Sequence, residues 1–425
     1  MRVCTAAEAA DLVRDTDSLA LPLGPGQPPA FLEALGRREG FERLDVFSAL
    51  LLGIYQLFEL PGVHLRSGFF GPIERDLAAR GRDVQFVPAD FRRFAAIGER
   101  MKPRVMATAV ASPDARGRYS LSLHAGATVD ELIRCGRDPD RLLIVEVNSR
   151  LPVTLGVPPA SPHWLEEADI DVVIGDERPP PELPDGEPDE IEKQIAAQVE
   201  ALIPDGATLQ TGIGGIPNAV VRLLAEGGGG DYGIHSEMFT SGLMHLQRAG
   251  KVTNQKGSHD GYSVTTFALG TADMYQWLDG NEDVRFLPVD IVNTPDLIAR
   301  NRRFVSINGA LAVDLSGQVV ADTIAGRQFS GVGGHEDFIA GASFSDHGRS
   351  LVCLPSTVST AGGTASRIIT AVPAGTTVTT PRHQVDTIVT EYGVAELRGL
   401  TVAERVQAMA AIAHPDFRDE LLAGF

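Results

Sequence analysis

The chain has 425 residues, with 43% hydrophobic and 22% charged side chains and a net charge of −19. That length accommodates two ordinary domains, each with its own core, and the composition is globular rather than disordered. So acidic a chain repels nucleic acid and anionic membranes as partners, although a local bank of backbone N–H groups can still hold a phosphate.

Cys4, Cys135 and Cys353 are far apart and in no metal-ligand spacing, which reads as isolated thiols in a reducing compartment. Glu8, Asp11, Asp15 and Asp17 interrupt the stretch that a signal peptide would keep apolar, and no apolar run approaches a membrane span. No His/Asp/Glu grouping has metal spacing, so no metal site is expected. A cytoplasmic location follows as the expectation.

In chain order, Leu21 to Ala30 (with Gly24, Pro25 and Gly26) reads as a turn leading into a helix over Phe31 to Leu35. Apolar runs at Val84 to Val87, Val105 to Val110, Leu142 to Val147 and Ile170 to Ile174 alternate with helical stretches such as Thr128 to Arg134. Continuous Val/Ile/Leu runs between helices indicate strands buried on both faces, hence a mostly parallel sheet. Five prolines between Glu177 and Pro188 make a linker, which places a domain boundary at 185/186. Beyond it, Ile191, Ile195, Val199 and Leu202 share one helical face. Strands are then expected at Ala207 to Thr211, Tyr232 to Ile234, Val284 to Ile291, Phe304 to Ile307, Leu351 to Leu354, Thr376 to Thr380 and Thr387 to Thr390. A helix over Val402 to Ala413 closes the chain.

Two segments carry the chemistry. Gln210 to Ala219, with Gly212, Ile213, Gly214, Gly215, Ile216 and Pro217, reads as strand, glycine turn and helix start, an arrangement that presents backbone N–H groups to a phosphate or an oxyanion. Pro217 suits the first turn of a helix and departs from the dinucleotide pattern, which argues against a nicotinamide-dependent oxidoreductase. The second segment, His235-Ser236-Glu237-Met238, puts a single carboxylate after the short strand that follows. A glutamate near a bank of donors can act as a covalent nucleophile toward an activated acyl group. The competing reading is a purely structural turn. His235, two residues before Glu237, would share its face on a strand and either tune it or pack.

The unit occurs twice. Gly24 precedes Ala49 by 25 residues, as Gly212 precedes Glu237. Each half then has a strand, a tight turn and another strand, around Ser112 to Gly117 and Asp314 to Gly317. If the halves are related, the first carries Ala49 where the second carries Glu237. A further glycine loop, Ser330 to Phe338 with Gly333 and Gly334, lets a ligand approach the main chain. In Thr390 to Gly399, Glu391, Glu396 and Arg398 read as ion-pair partners before substrate groups.

With these motifs in this order, the chain resembles the acetyl-CoA hydrolase/transferase group of class I CoA-transferases, which includes 4-hydroxybutyrate, butyrate and succinyl-CoA:acetate enzymes. The resemblance rests on Gly212 to Pro217, His235 to Met238, Ser330 to Gly334 with Asp337-Phe338, Thr390 to Gly399 and Ala413 to Arg418; it is looser in the first half, where Glu146-Val147-Asn148 and Leu155-Gly156 match. It implies two related α/β domains with mostly parallel sheets, NagB/RpiA/CoA-transferase-like, over residues 1–185 and 186–425. It also implies Glu237 as the catalytic nucleophile. Gly212, Ile213, Gly214, Gly215, Ile216, Leu311, Gly333 and Gly334 are implied to bind coenzyme A, which is a substrate and not a resident cofactor. The implied partners are an acyl-CoA and a small carboxylic acid, and the implied assembly is a homodimer or larger homo-oligomer. Acyl-CoA hydrolysis at the same site and non-catalytic acyl-CoA binding are the alternatives. The chain departs from the family at His335, where Gln is frequent, and at Ser359 to Gly363, where a Lys is frequent.

Overall fold

The computed structural model describes residues 1–38 and 40–425. Residue contacts divide it into two units, Met1–Leu183 with Val264–Val292, and Pro184–Ser263 with Asn293–Phe425. The chain therefore returns to the first unit after the second has begun. In that returning piece the expected strand Val284 to Ile291 is cut short. Val284–Phe286 is extended, and Pro288 then starts a helical turn, Val289–Val292, whose Ile291 and Val292 amides donate back to the Pro288 carbonyl.

The first unit is built on β1 (Arg2–Val3), β2 (Thr16–Ala20), α1 (Pro29–Gly36), β3 (Arg43–Ser48), β4 (Val63–Ser67), β5 (Val84–Phe86), β6 (Val105–Val110), α2 (Val129–Gly136), β7 (Leu142–Asn148) and β8 (Val172–Asp176). The eight strands form one sheet in the order β1-β8-β7-β6-β2-β3-β4-β5, every pair parallel. All six residues of β6 are buried, as the apolar run predicts for a strand covered on both faces. Leu19, Phe31, Leu35, Val46, Leu65, Val105 and Ile144 close the core. Gly136 ends α2 against the 3₁₀ turn Glu167–Asp169 that precedes β8: a Cβ there would lie 1.7 Å from the Asp169 carbonyl oxygen. Gly136→Ala is expected to lower stability by about 2–3 kcal/mol, read as a lower urea midpoint, because backbone must move to admit the methyl.

The second unit contains α3 (Glu190–Glu200), β9 (Thr208–Thr211), α4 (Gly215–Glu226), β10 (Gly233–Ile234), β11 (Phe304–Gly309), α5 (His335–Phe344), β12 (Arg349–Cys353), β13 (Thr387–Thr390), β14 (Gly393–Glu396) and α6 (Val402–Ala411). Its sheet runs β10-β9-β11-β12-β13-β14, parallel except for the last pair. A capping box starts α3, with Asp189 accepting from the Glu192 amide at 2.8 Å and Glu192 from the Asp189 amide at 2.9 Å. Ile195 and Val199 are buried on its inner face, whereas Ile191 in the first turn is 38% exposed. Thr376 to Thr380 is not a strand. It is an irregular segment, following a turn at Ala374-Gly375, that bridges to Val319 at Thr380.

The two units share one topology. β2 has β3 on one side and β6, β7 and β8 in turn on the other; β9 has β10 on one side and β11, β12 and β13 on the other. Each also carries the same aspartate-closed hairpin. Asp114 Oδ1 accepts from the Arg116 and Arg118 amides (2.8 and 3.0 Å), and Asp314 Oδ1 from the Ser316 and Gln318 amides (2.9 and 3.0 Å). Gly117 and Gly317 both have positive φ and donate to the aspartate carbonyl. Leu19 pairs with Val46 and Leu209 with Ile234, so Ala49 and Glu237 each lie three residues beyond equivalent strand positions. Between those paired positions the first half is two residues longer, and it inserts a single 3₁₀ turn, Gly24–Gly26, before α1.

Candidate active site

In the second unit the strand order reverses between β9 and β11, because β9 is followed in space by β10 on one side and by β11 on the other. Open parallel sheets leave a crevice at such a point, outside the carboxyl ends of the strands. Thr211-Gly212 leaves the carboxyl end of β9 and Ala310-Leu311 that of β11, so the glycine turn and Leu311 flank the crevice. Gly214 has φ 121°, which only glycine adopts without strain, and it caps α4 without a side-chain bond. Ile213 is 50% exposed at the tip of the turn. Leu311 is tied by its amide to the Val320 carbonyl at 2.8 Å.

Glu237 follows β10. The free edge of that short strand is satisfied by a side chain: Ile234 N–H donates to Asn254 Oδ1 at 3.0 Å. His235 N–H continues the ladder to the Leu209 carbonyl at 3.1 Å, and Ser236 Oγ donates to the Thr211 carbonyl at 3.1 Å. The segment bearing Glu237 is thus stitched to the base of the glycine turn. The strand ends at Ile234, so the shared-face argument for His235 does not apply. His235 is fully buried, lies 3.1 Å from Asn301 Nδ2 through Nδ1, and meets Phe304 and Phe338 edge-on. It packs the base of the site.

The Glu237 carboxylate accepts from Asn293 Nδ2 at 2.6 Å. The same amide donates to Asp337 Oδ2 at 3.1 Å, from the first turn of α5, so Asn293 bridges two carboxylates and uses both its N–H groups. Asn293 Oδ1 is buried without a hydrogen-bond partner among the described residues. Gly334 caps α5 directly against the nucleophile candidate: a Cβ there would lie 2.1 Å from Glu237 Oε2 and 2.5 Å from Asn293 Nδ2. Gly333 has φ 56° and turns the chain into that position. The structure therefore brings together Glu237, Gly334 and two residues of different standing. Asp337 lies in the glycine loop Ser330 to Phe338, whereas Asn293 carries no chemical signal in the sequence beyond a polar residue in Asn-Thr-Pro after an apolar run.

Burial pushes the Glu237 carboxyl up to about 7, and the Asn293 hydrogen bond acts in the opposite direction. The residue as a whole is half-buried, but its carboxyl is desolvated. Two positions depart from the pattern that the chain resembles. His335 is buried, with Nε2 2.9 Å from Thr380 Oγ1, and burial holds it down at about 4. Ser359 to Gly363 form the exposed end of the hairpin Thr357–Thr360 and Gly363–Ser366. Glu396 pairs with Arg349 and Arg398 with Asp386, both at 3.0 Å, while Glu391 accepts from Ser356 N and Oγ at 2.8 and 2.6 Å.

Residues 270–425 match the family of acetyl-CoA hydrolase/transferase C-terminal domains. Over its whole length the chain is 34% identical to the 4-hydroxybutyrate coenzyme A transferase of Clostridium kluyveri, covering 97% of that protein. It is also 34% identical to the succinyl-CoA:cyclohexane-1-carboxylate CoA transferase of Geobacter metallireducens, over 99% of this chain and 94% of that one. The crystal structure of RipA from Yersinia pestis superposes with a TM-score of 0.90 at 32% identity, covering 100% of this chain and 96% of that chain. The chain therefore belongs to the acetyl-CoA hydrolase/transferase family of CoA-transferases.

Proposed function

We propose that the protein transfers CoA from an acyl-CoA to a free carboxylate through a thioester on Glu237. The observation that carries this reading is the Glu237 carboxylate itself, desolvated, hydrogen-bonded by Asn293 and set so close to Gly334 that a Cβ there would displace it. Glu237 attacks the thioester carbonyl and expels CoA thiolate, leaving an acyl-glutamyl anhydride. The thiolate then attacks the glutamyl carbonyl, which releases the first acid and leaves glutamyl-CoA. The acceptor carboxylate attacks that thioester, and the same two steps in reverse return Glu237 and a new acyl-CoA. The thiolate liberated at each stage is consumed at the next, so no net proton is needed.

A carboxylate is a weak nucleophile toward a thioester, so the oxyanion formed must be stabilised. One preorganised donor contributes about 3–4 kcal/mol to such a step. We assign this task to backbone N–H groups of the loops at Ile213 and at Gly333-Gly334, and CoA binding to Gly212, Gly214, Gly215, Ile216 and Leu311. These residues flank the crevice at the β9/β11 reversal, and Gly334 adjoins Glu237. The desolvation that raises Glu237 also makes its ionised form more reactive once formed. Initial rates of acyl-CoA loss with and without an acceptor acid distinguish transfer from hydrolysis; rates unchanged by acceptor would favour water as the second nucleophile. A cytoplasmic location and a homo-oligomer, dimer or larger, belong to the same proposal. Light scattering on the eluting protein tests the assembly.

Two pH results are expected. Only ionised Glu237 attacks, so kcat/KM for acyl-CoA should fall as pH drops through about 7. Asn293 favours the ionised form, so Asn293→Ala should move that inflection to higher pH as well as slowing the reaction. A pH–rate profile of the two proteins checks both.

A further inference from the structure

Arg367 is a cation that the proposed reaction does not yet use and that no carboxylate among the described residues neutralises. It stands at the end of the hairpin Thr357–Thr360 and Gly363–Ser366, and its backbone is fixed on both sides: Arg367 N–H donates to the Ser356 carbonyl at 2.8 Å, and Val313 N–H to the Arg367 carbonyl at 2.9 Å. Its guanidinium is satisfied poorly. Nη1 reaches the Ala310 carbonyl at only 3.5 Å, and Nε is buried with no hydrogen-bond partner among the described residues. No carboxylate among them forms an ion pair with it. Glu391, whose charge acts on it, has both oxygens engaged by Ser356. In a chain with 56 acidic and 37 basic residues, a half-buried arginine left without a carboxylate is a costly arrangement.

Its position suggests what offsets that cost. Ala310 follows β11, Ser356 follows β12 and Glu391 follows β13, so the guanidinium sits over the carboxyl ends of the sheet, the same end from which Glu237 leaves β10. With parallel strands about 4.8 Å apart, two or three strands from β10 correspond to roughly 10–15 Å. An anion held there is distant from the carbonyl under attack at Glu237. We infer that Arg367 is a substrate-binding residue whose Nη groups hold an oxyanion remote from the reacting carbonyl. Two sources share that chemistry: a phosphate of CoA, or the second carboxylate of a dicarboxylic acyl group. The inference rests on the reading of Glu237 as the site of transfer.

Arg367→Gln and Arg367→Lys test it. KM for acetyl-CoA and succinyl-CoA would be measured, with calorimetric dissociation constants for CoA and succinate and a melting curve for each variant. A rise of about tenfold or more for CoA and both thioesters, partly recovered by lysine, identifies the phosphate. The same rise confined to succinyl-CoA and succinate identifies the second carboxylate. All constants within twofold of the parent, or a loss of kcat and melting temperature with unchanged KM, would overturn the inference and leave Arg367 a structural residue. If the unmodified protein forms no thioester on Glu237, the functional reading fails, while the calorimetric titrations still decide the role of Arg367.

Discussion

Glu237→Gln is expected to lower CoA transfer by on the order of 10⁴-fold or more while leaving the protein folded, because the amide keeps the shape and loses the nucleophile. The stability of this variant separates chemistry from folding. A carboxyl whose folded value is raised stabilises fully below its ordinary value near 4.5, and that contribution is lost as pH rises through about 7. Above pH 7 the parent must hold a desolvated carboxylate, whereas glutamine remains neutral. The variant should therefore melt higher than the parent at pH 8, by about 2 °C or more, with the difference vanishing near pH 4. An inactive variant that melts lower at pH 8 would mean that the carboxylate is structural.

Gly334→Ala is the second large effect. The added methyl would meet Glu237 Oε2 at 2.1 Å and Asn293 Nδ2 at 2.5 Å, distances that no Cβ tolerates. Either the carboxylate is displaced or α5 shifts at its first turn. Misplacing a nucleophile by about 1 Å costs on the order of 10²-fold in rate, so kcat should fall by at least that much. Because Gly334 lies at a helix start with φ −92°, the backbone itself accepts alanine, and the melting temperature should change little compared with the loss of activity. Parallel measurement of kcat and melting temperature reads this out.

Much of this architecture is legible in the residues. β6, β7 and β12 coincide with apolar runs because parallel strands buried on both faces need them. The duplication is legible because Gly24 and Gly212 open turns, and Gly117 and Gly317 close hairpins, that restrict backbone conformation. Other parts depend on packing distant in sequence. Val284 to Ile291 reads as one strand by hydropathy, but Pro288 cannot donate to a ladder and begins a helical turn instead. Thr376 to Thr380 has strand composition, yet Thr380 is used to hold His335 and Glu336 at the start of α5. The return of Val264–Val292 to the first unit leaves no composition shift to mark it. At the site, Glu237 and the glycines stand out because their chemistry and conformational demands are local. Asn293 acquires its role only when folding places it between Glu237 and Asp337, 56 and 44 residues away in sequence. Arg367 is equally silent, since an unpaired guanidinium is a property of its neighbours.

The proposed transfer requires that Glu237 carry CoA covalently. The most direct measurement is the intact mass of the protein after incubation with acetyl-CoA, followed by peptide mapping, with Glu237→Ala alongside. A CoA adduct is expected on the peptide containing Glu237, absent from the variant and discharged by a carboxylic acid. Turnover of acetyl-CoA with no adduct, undiminished in Glu237→Ala, would contradict it.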